Sequence, residues 1–276
     1  MCPTLNGVAE NEDYLVPYKG YSQIIENVNL AESLYNGLQV QLTHRFANGL
    51  NFNFSYTRSK SLDNATNYEG VLPNAWDNSY MWGPSTFDHR NLLVGTAVYA
   101  LPIFNTGNSL AHKLLGGWSV DGVYTYTSGS DFSISVSTDY AGVGVGGGAQ
   151  YWVQNGPIQY TDQYSQGGTA ADPNFFFQPK NASGTAEFTA PPNGTINSQR
   201  VRNAFYGPPY WDLNSALFKD FRINERMKFT LRWEQYDTLN HPNWSGPNTT
   251  PTSAAFGKIT TKSGNRDQQI ALKFTF

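Results

Sequence analysis

The sequence predicts an all-β fold: an antiparallel transmembrane β-barrel segment of about seven meandering strands, with short turns on one side, long loops on the other, and an incomplete barrel. Three observations predict it. Runs of strictly alternating apolar and polar residues recur along the chain, and side chains of a strand point to opposite faces in turn. The connections between those runs are strongly unequal in length. The composition, 15% aromatic and only 14% charged with 26 Gly and 15 Pro, offers many turns and no long 3.6-residue periodicity.

The first strand reads NGLQVQLTHRF, with Leu38, Val40, Leu42, His44 and Phe46 sharing one face. The second, LNFNFSYTRS, sets Leu50, Phe52, Phe54 and Tyr56 against Asn51, Asn53, Ser55 and Thr57. Between them lies Ala47-Asn48-Gly49, and Asn-Gly flanked by alternating apolar residues is the strongest short hairpin signal. NLLVGTAVYALP is apolar on both parities and ends at Pro102. WSVDGVYTYTSG places Trp118, Val120, Tyr124 and Tyr126 opposite Ser119, Asp121, Thr125 and Thr127. WDLNSALFKDF and MKFTLRWEQY are joined by residues 222–226. The chain closes on DQQIALKFTF, where Ile270, Leu272, Phe274 and Phe276 form one apolar row.

Short or moderate connections (47–49, 102–116, 222–226) alternate with long polar ones (60–89, 137–210, 238–266). Long unstructured loops argue against a compact soluble domain and suit an outer-membrane barrel, with its short periplasmic turns and long extracellular loops. Alternation alone also fits a soluble sandwich. Aromatic placement favours the membrane: Phe46, Trp118 and Phe276 fall at the short-turn end, Tyr56, Tyr126 and Tyr236 at the long-loop end, as two interfacial girdles would. On the polar parity Arg45, Arg58, Arg232 and Glu234 suit either of two roles equally, lining a lumen and contacting a plug, or simple solvation and strand-to-strand pairing. The mean hydropathy of -0.47 does not oppose this, since alternating strands average to a hydrophilic value.

Eighteen basic and 21 acidic residues give a net charge of -3, without blocks of like charge, and no nucleic-acid partner is expected. The single Cys2 offers no internal disulfide. The first residues carry neither the basic stretch nor the apolar run of a secretory signal.

No catalytic, metal or cofactor site is expected. The glycines of residues 142–147 satisfy G-x-G-x-x-G, yet no helical pattern follows to hold a dinucleotide. His44, His89, His112 and His241 lack metal-ligand spacing. Asp131 with Asp139, or Asp63 with Glu69, have no fixed separation that would make a hydrolytic pair. The candidates for ligand binding are loop aromatics: Tyr68, Trp76, Tyr80 and Trp82 in one loop, Tyr151, Trp152, Tyr206 and Tyr210 in or beside the next. Such rings stack on sugar-like or aromatic ligands, and equally well pack loops against one another.

Residues 202–244 (RNAFYGPPYWDLNSALFKDFRINERMKFTLRWEQYDTLNHPNW), FGKIT at 256–260 and the tail QQIALKFTF resemble the C-terminal barrel of TonB-dependent receptors of the Oar-like group. FDHRNLLVGTAVYALPIF and LLGGWSVDGVYTYTSGSDFSISV match that pattern in order. The resemblance runs from about residue 34 to the end. It implies an outer-membrane importer with a plug, driven by the TonB complex, and a terminal strand read by the barrel-insertion machinery, here Ile270, Leu272, Phe274 and Phe276.

On that basis residues 1–33 are expected to be the remnant of an extracellular loop, and 34–276 the C-terminal part of the barrel. The plug and N-terminal strands are expected on a longer chain, with Met1 not its natural start. The partners would be outer-membrane lipid, those missing parts, the TonB complex and the insertion machinery. Two alternatives stand beside this importer: a structural or adhesive outer-membrane protein acting through its loops, and a soluble carbohydrate-binding β-sandwich.

Overall fold

The computed structural model describes residues 4–5, 8–9, 18–21, 26–65, 74, 77–103, 110–142, 150–161, 164 and 174–276. Seven long strands form one antiparallel sheet: β1 (Ser33–Ala47), β2 (Leu50–Asp63), β3 (Asn91–Ala100), β4 (Trp118–Thr127), β5 (Tyr210–Arg222), β6 (Lys228–Tyr236) and β7 (Asp267–Thr275). Each pairs with its neighbours in chain order. The sheet is open, because among the described residues the outer edges of β1 and β7 pair with nothing.

The β1–β2 hairpin turns where expected. Asn48 and Gly49 both have positive φ, 53° and 77°, the pair of values a two-residue turn needs to follow strand twist. A register shift between His44 and Ala47 marks a bulge, so simple alternation ends there; the side chain of Phe46, expected in the lower girdle, lies outside the described residues. Between β3 and β4 the chain forms a short helix, α1 (Leu110–Leu115).

Register fixes the faces, since cross-strand partners share a side. One row runs through Leu42, Phe54, Gly95, Tyr124 and Leu213, another through Tyr99, Val120, Leu217, Trp233 and Ile270. Every strand thus turns its apolar parity to the same side. Gly95 accommodates a ring: a Cβ there would sit 2.3 Å from the Phe54 ring. No second sheet covers this face among the described residues. Ile270 is 74% and Leu272 66% exposed, which is incompatible with the sandwich alternative.

Two face assignments change. Arg58 is in register with Leu38 and Asn91, on the apolar side above Tyr56, and not in the lumen. Tyr236 pairs with Asp267, next to the Trp233–Ile270 row but on the other parity, so it faces the polar side. Trp211, opposite Tyr126, takes its place in the upper aromatic belt. In both cases the strand pairs through the residue and its parity continues unbroken; residue type, a charge read as lumenal and a ring read as lipid-facing, had overridden the parity.

The sheet has almost no buried interior. Among the described residues its buried side chains are Asp63 at the rim end of β2, Ala216 and Lys219. Lys219 lies on the apolar side at the short-turn end, in register with Trp118 and Leu231, and donates to the carbonyls of Lys113 (2.7 Å) and Gly116. It thereby satisfies the C-terminal carbonyls of α1 that a helix leaves unpaired.

The principal core lies in the long connections. Ile134, Phe176, Phe177, Phe188, Phe205, Phe256 and Ile259 pack together, all at most 6% exposed. Two-residue strand pairs, Asp131–Phe132 with Phe205–Tyr206 and Val153–Gln154 with Phe188–Thr189, knit this layer. The described residues of the connection 137–210, expected as a long polar loop, are therefore part of a folded cap. Polar and Gly-rich stretches hid the scattered phenylalanines that drive its collapse.

Candidate functional site

The site region is the junction between this cap and the long-loop rim of the sheet. Strand β2 delivers the Ser61 backbone N–H and the Asp63 carboxylate there. Asp88, 1% exposed, accepts from the backbone N–H of Ser61 on β2 (2.6 Å) and from the Tyr206 hydroxyl (2.6 Å). Arg90 donates to that hydroxyl from Nε (3.0 Å) and Nη2 (2.7 Å) and pairs with Asp88 at 2.8 Å. Burial, and the bond to Asp88, hold the Tyr206 phenol above its usual range. This Asp–Tyr–Arg knot ties residues 118 apart in sequence.

A second tie lies deeper. Arg202 donates from Nη2 to Asp63 Oδ1 (2.6 Å) and from Nη1 to the carbonyls of Asp63 (2.8 Å) and Met81 (3.2 Å). Both side chains are 7% exposed, so the pair is desolvated and geometry must compensate. Asn203 adds a bond from Nδ2 to the Pro84 carbonyl (3.0 Å). Close backbone crossings require glycine beside these ties. A Cβ on Gly129 would lie 1.8 Å from the Gly207 carbonyl oxygen, and one on Gly83 2.5 Å from that of Arg202.

Asp131, one strand from this knot, has its carboxyl pushed up to about 6 by burial, reinforced by the Asp88 charge.

The loop aromatics divide. Tyr68 and Trp76 lie outside the described residues. Tyr80 (3% exposed) and Tyr151 (7%) pack with Met81 and Val201 in a second small core, where burial raises both phenols, Tyr80 to about 12. Trp82 and Tyr206 are half-buried, and Trp152 is packed against the main cap core. Tyr210, 47% exposed, borders an open cavity of about 270 Å³ with Tyr236. The structure joins Tyr80 to Tyr151 and places Tyr206 at the rim; it does not gather the described candidates into one pocket.

Sequence reasoning missed Asp88, Arg90 and Arg202. Their one visible signal is the run Asp88-His89-Arg90 directly before β3, at the base of a long loop.

At the opposite pole, Phe274 and Phe276 stack at 5.7 Å and Phe276 is 90% exposed, continuing the apolar row of β7.

An uncovered apolar face on a single antiparallel sheet, polar on its other side and capped by folded loops, defines a membrane barrel protein. No helix among the described residues is long and apolar enough to cross a membrane, and strands make the crossing here. The chain belongs to the outer membrane beta barrel domain family, whose model matches residues 3–269, which places it in the bacterial outer membrane with its apolar face in lipid. No curated protein matches the chain.

Proposed function

We propose that this chain is the C-terminal barrel part of a TonB-dependent receptor of the Oar-like group, a non-enzymatic importer. The reading is supported by the blocks at 202–244, 256–260 and 268–276 that resemble that group. The observation that carries it is the cap: a folded layer, pinned to the rim by Asp88–Tyr206–Arg90 and Asp63–Arg202, presents side chains where a ligand arrives from outside. Trp82, Trp152, Tyr206 and Tyr210, with Tyr68 and Trp76, are the proposed ligand contacts, with Tyr80 and Tyr151 positioning them from behind.

After capture, the ligand would pass along the polar face lined by residues such as Asn53, Asp121, Arg232 and Glu234, once a plug carried on the longer receptor moves. Additional strands of that receptor would pair with the free edges of β1 and β7, since an open edge in lipid leaves backbone groups unsatisfied. In this reading residues 1–33 belong to an extracellular loop, and the row from Ile270 to Phe276 is the signal met by the insertion machinery.

Cross-linking in intact cells tests this. The complete receptor is expected to give an adduct with the TonB periplasmic domain, and the adduct to intensify when ligand-containing medium is supplied. A protein that forms no adduct, yet still mediates attachment to surfaces or cells, would be an adhesive barrel instead.

A further inference from the structure

The rim carries a second polar feature that neither the import reading nor the sequence candidates use. The cavity bordered by Tyr210 and Tyr236 is also lined by Asp212, Asn214, Asp237, Asn243, Ser263 and Asn265. Asp212 and Asn214 come from the start of β5 on its polar parity, and Asp237 is the residue just after β6, where the backbone leaves the strand at a φ of 48°; both aspartates line the cavity.

Asn214 bridges them. Its Nδ2 donates to Asp212 Oδ2 (2.6 Å), and its Oδ1 accepts from the Asp237 backbone N–H (2.9 Å). Asp237 Oδ1 accepts from the His241 N–H (2.9 Å). One oxygen of each carboxylate is thereby held, and the other is not. Asp212 Oδ1 and Asp237 Oδ2 are buried without any hydrogen-bond partner, and Asp237 is only 8% exposed. Neither residue joins an ion pair among the described residues.

Buried carboxylate oxygens are ordinarily satisfied, and an unpaired one calls for an ion or a partner. The approach to Asp237 Oδ2 is kept open by Gly264, where a Cβ would lie 3.3 Å away.

We propose that this cavity binds a divalent hard cation, Ca²⁺. Its donors would be Asp212 Oδ1 and Asp237 Oδ2, completed by neutral oxygens of Ser263 and Asn265 and by water. Ca²⁺ takes about six to eight oxygen ligands in irregular geometry, which an open pocket of mixed oxygens suits. Zinc is disfavoured, because no group of three or more His, Cys, Asp or Glu residues gathers among the described residues. The bound ion would neutralise two neighbouring carboxylates and clamp the β5 and β6 ends to the loop at 263–265, holding the mouth rigid. The proposal stands whether or not the barrel imports through TonB.

The test uses the full chain purified from outer membranes in detergent and stripped with EDTA. Tb³⁺ is expected to luminesce on aromatic excitation, sensitised by Tyr210 and Tyr236, and Ca²⁺ is expected to displace it and to raise Tm. Asp237→Asn and Asp212→Asn should each weaken Ca²⁺ binding by ~tenfold or more, because affinity follows ligand charge. In EDTA, Asp237→Asn should melt at or above the wild type, since it removes an uncompensated buried charge. Asp212→Asn, whose carboxylate is less enclosed, gives the same reading should Asp237→Asn fail to fold. Absence of Ca²⁺-displaceable luminescence and of any Ca²⁺ effect on Tm in the wild type would overturn the site. So would variants that keep wild-type affinity.

Discussion

The sheet and the cap use the same side chains in opposite ways. In β1 and β7 the apolar residues stand out: Val40 is 52%, Leu42 59%, Leu272 66% and Ile270 74% exposed. In the cap Phe177 and Ile259 are wholly buried, and phenylalanines meet edge to face, as Phe177 and Phe256 do at 5.1 Å. Water drives burial only where water is the alternative. The cap sits in water and builds a core; the strands sit in lipid and need none, because hydrocarbon already surrounds their apolar face. Backbone pairing, which every strand supplies to its neighbours, is what holds the sheet.

Charged groups repeat the contrast. Where the cap meets the sheet a pair is buried, Arg202 of the cap with Asp63 of β2. On the polar face of the sheet the pairs are open to water, where Arg232 meets Asp121 at 3.2 Å and Lys228 meets Asp220 at 2.7 Å.

The largest effects should come from breaking the cap while leaving the sheet. Phe177→Ala removes a fully buried ring and is expected to cost about 3–5 kcal/mol. Arg202→Met strands the Asp63 carboxylate and should cost about the same. For both, limited proteolysis should cut within residues 128–209 at far lower protease while the strands stay protected. Simultaneous loss of strand protection would mean that sheet and cap are one cooperative unit.

The next effect reverses the logic. Ile270→Arg should cost about 2–4 kcal/mol in a bilayer if it lies near the midplane, whereas Gln269→Arg, one residue away on the polar face, should be nearly neutral. Urea titration of the protein refolded into vesicles compares them. In a soluble protein both changes would be nearly neutral, since Gln269 and Ile270 are both exposed.

The smallest effect is a pH dependence of the cap alone. The Asp131 carboxyl is lifted from 3.8 to about 6, so the folded cap holds a proton that the unfolded chain has released. That contribution favours folding at low pH and disappears as pH rises through about 6. Asp131→Asn should therefore raise the melting temperature of the cap above pH 6, with the gain shrinking as pH falls toward the usual carboxylate range. An equal gain at all pH values would remove ionisation as the cause.

What the sequence made legible is the part governed by local rules. The turn at Asn48-Gly49 and the alternation of Leu38 to His44 and of Ile270 to Phe274 need only their own segments, and the short connections at 47–49 and 222–226 pair β1 with β2 and β5 with β6. Arg58 and Tyr236 were assigned by residue type against their own parity, which the ladder keeps through both positions. The cap was hidden for a different reason. Ile134, Phe177, Phe188 and Phe256 are separated by tens of polar residues, and only a tertiary contact shows that they meet. The buried side of Tyr80 and Tyr151 is equally non-local. So are the two unsatisfied oxygens of Asp212 and Asp237, which come from the ends of two strands.

The central claim is that the sheet is bare on one side because lipid covers it. Spin labels placed in turn at Gln268, Gln269, Ile270, Ala271, Leu272 and Lys273 of β7, in the full chain reconstituted in nanodiscs, test it most directly. Labels at Ile270 and Leu272 should be relaxed by oxygen and shielded from a polar nickel reagent, those at Gln269, Ala271 and Lys273 the reverse, with a period of two. Uniform access of the nickel reagent to all six positions would contradict it.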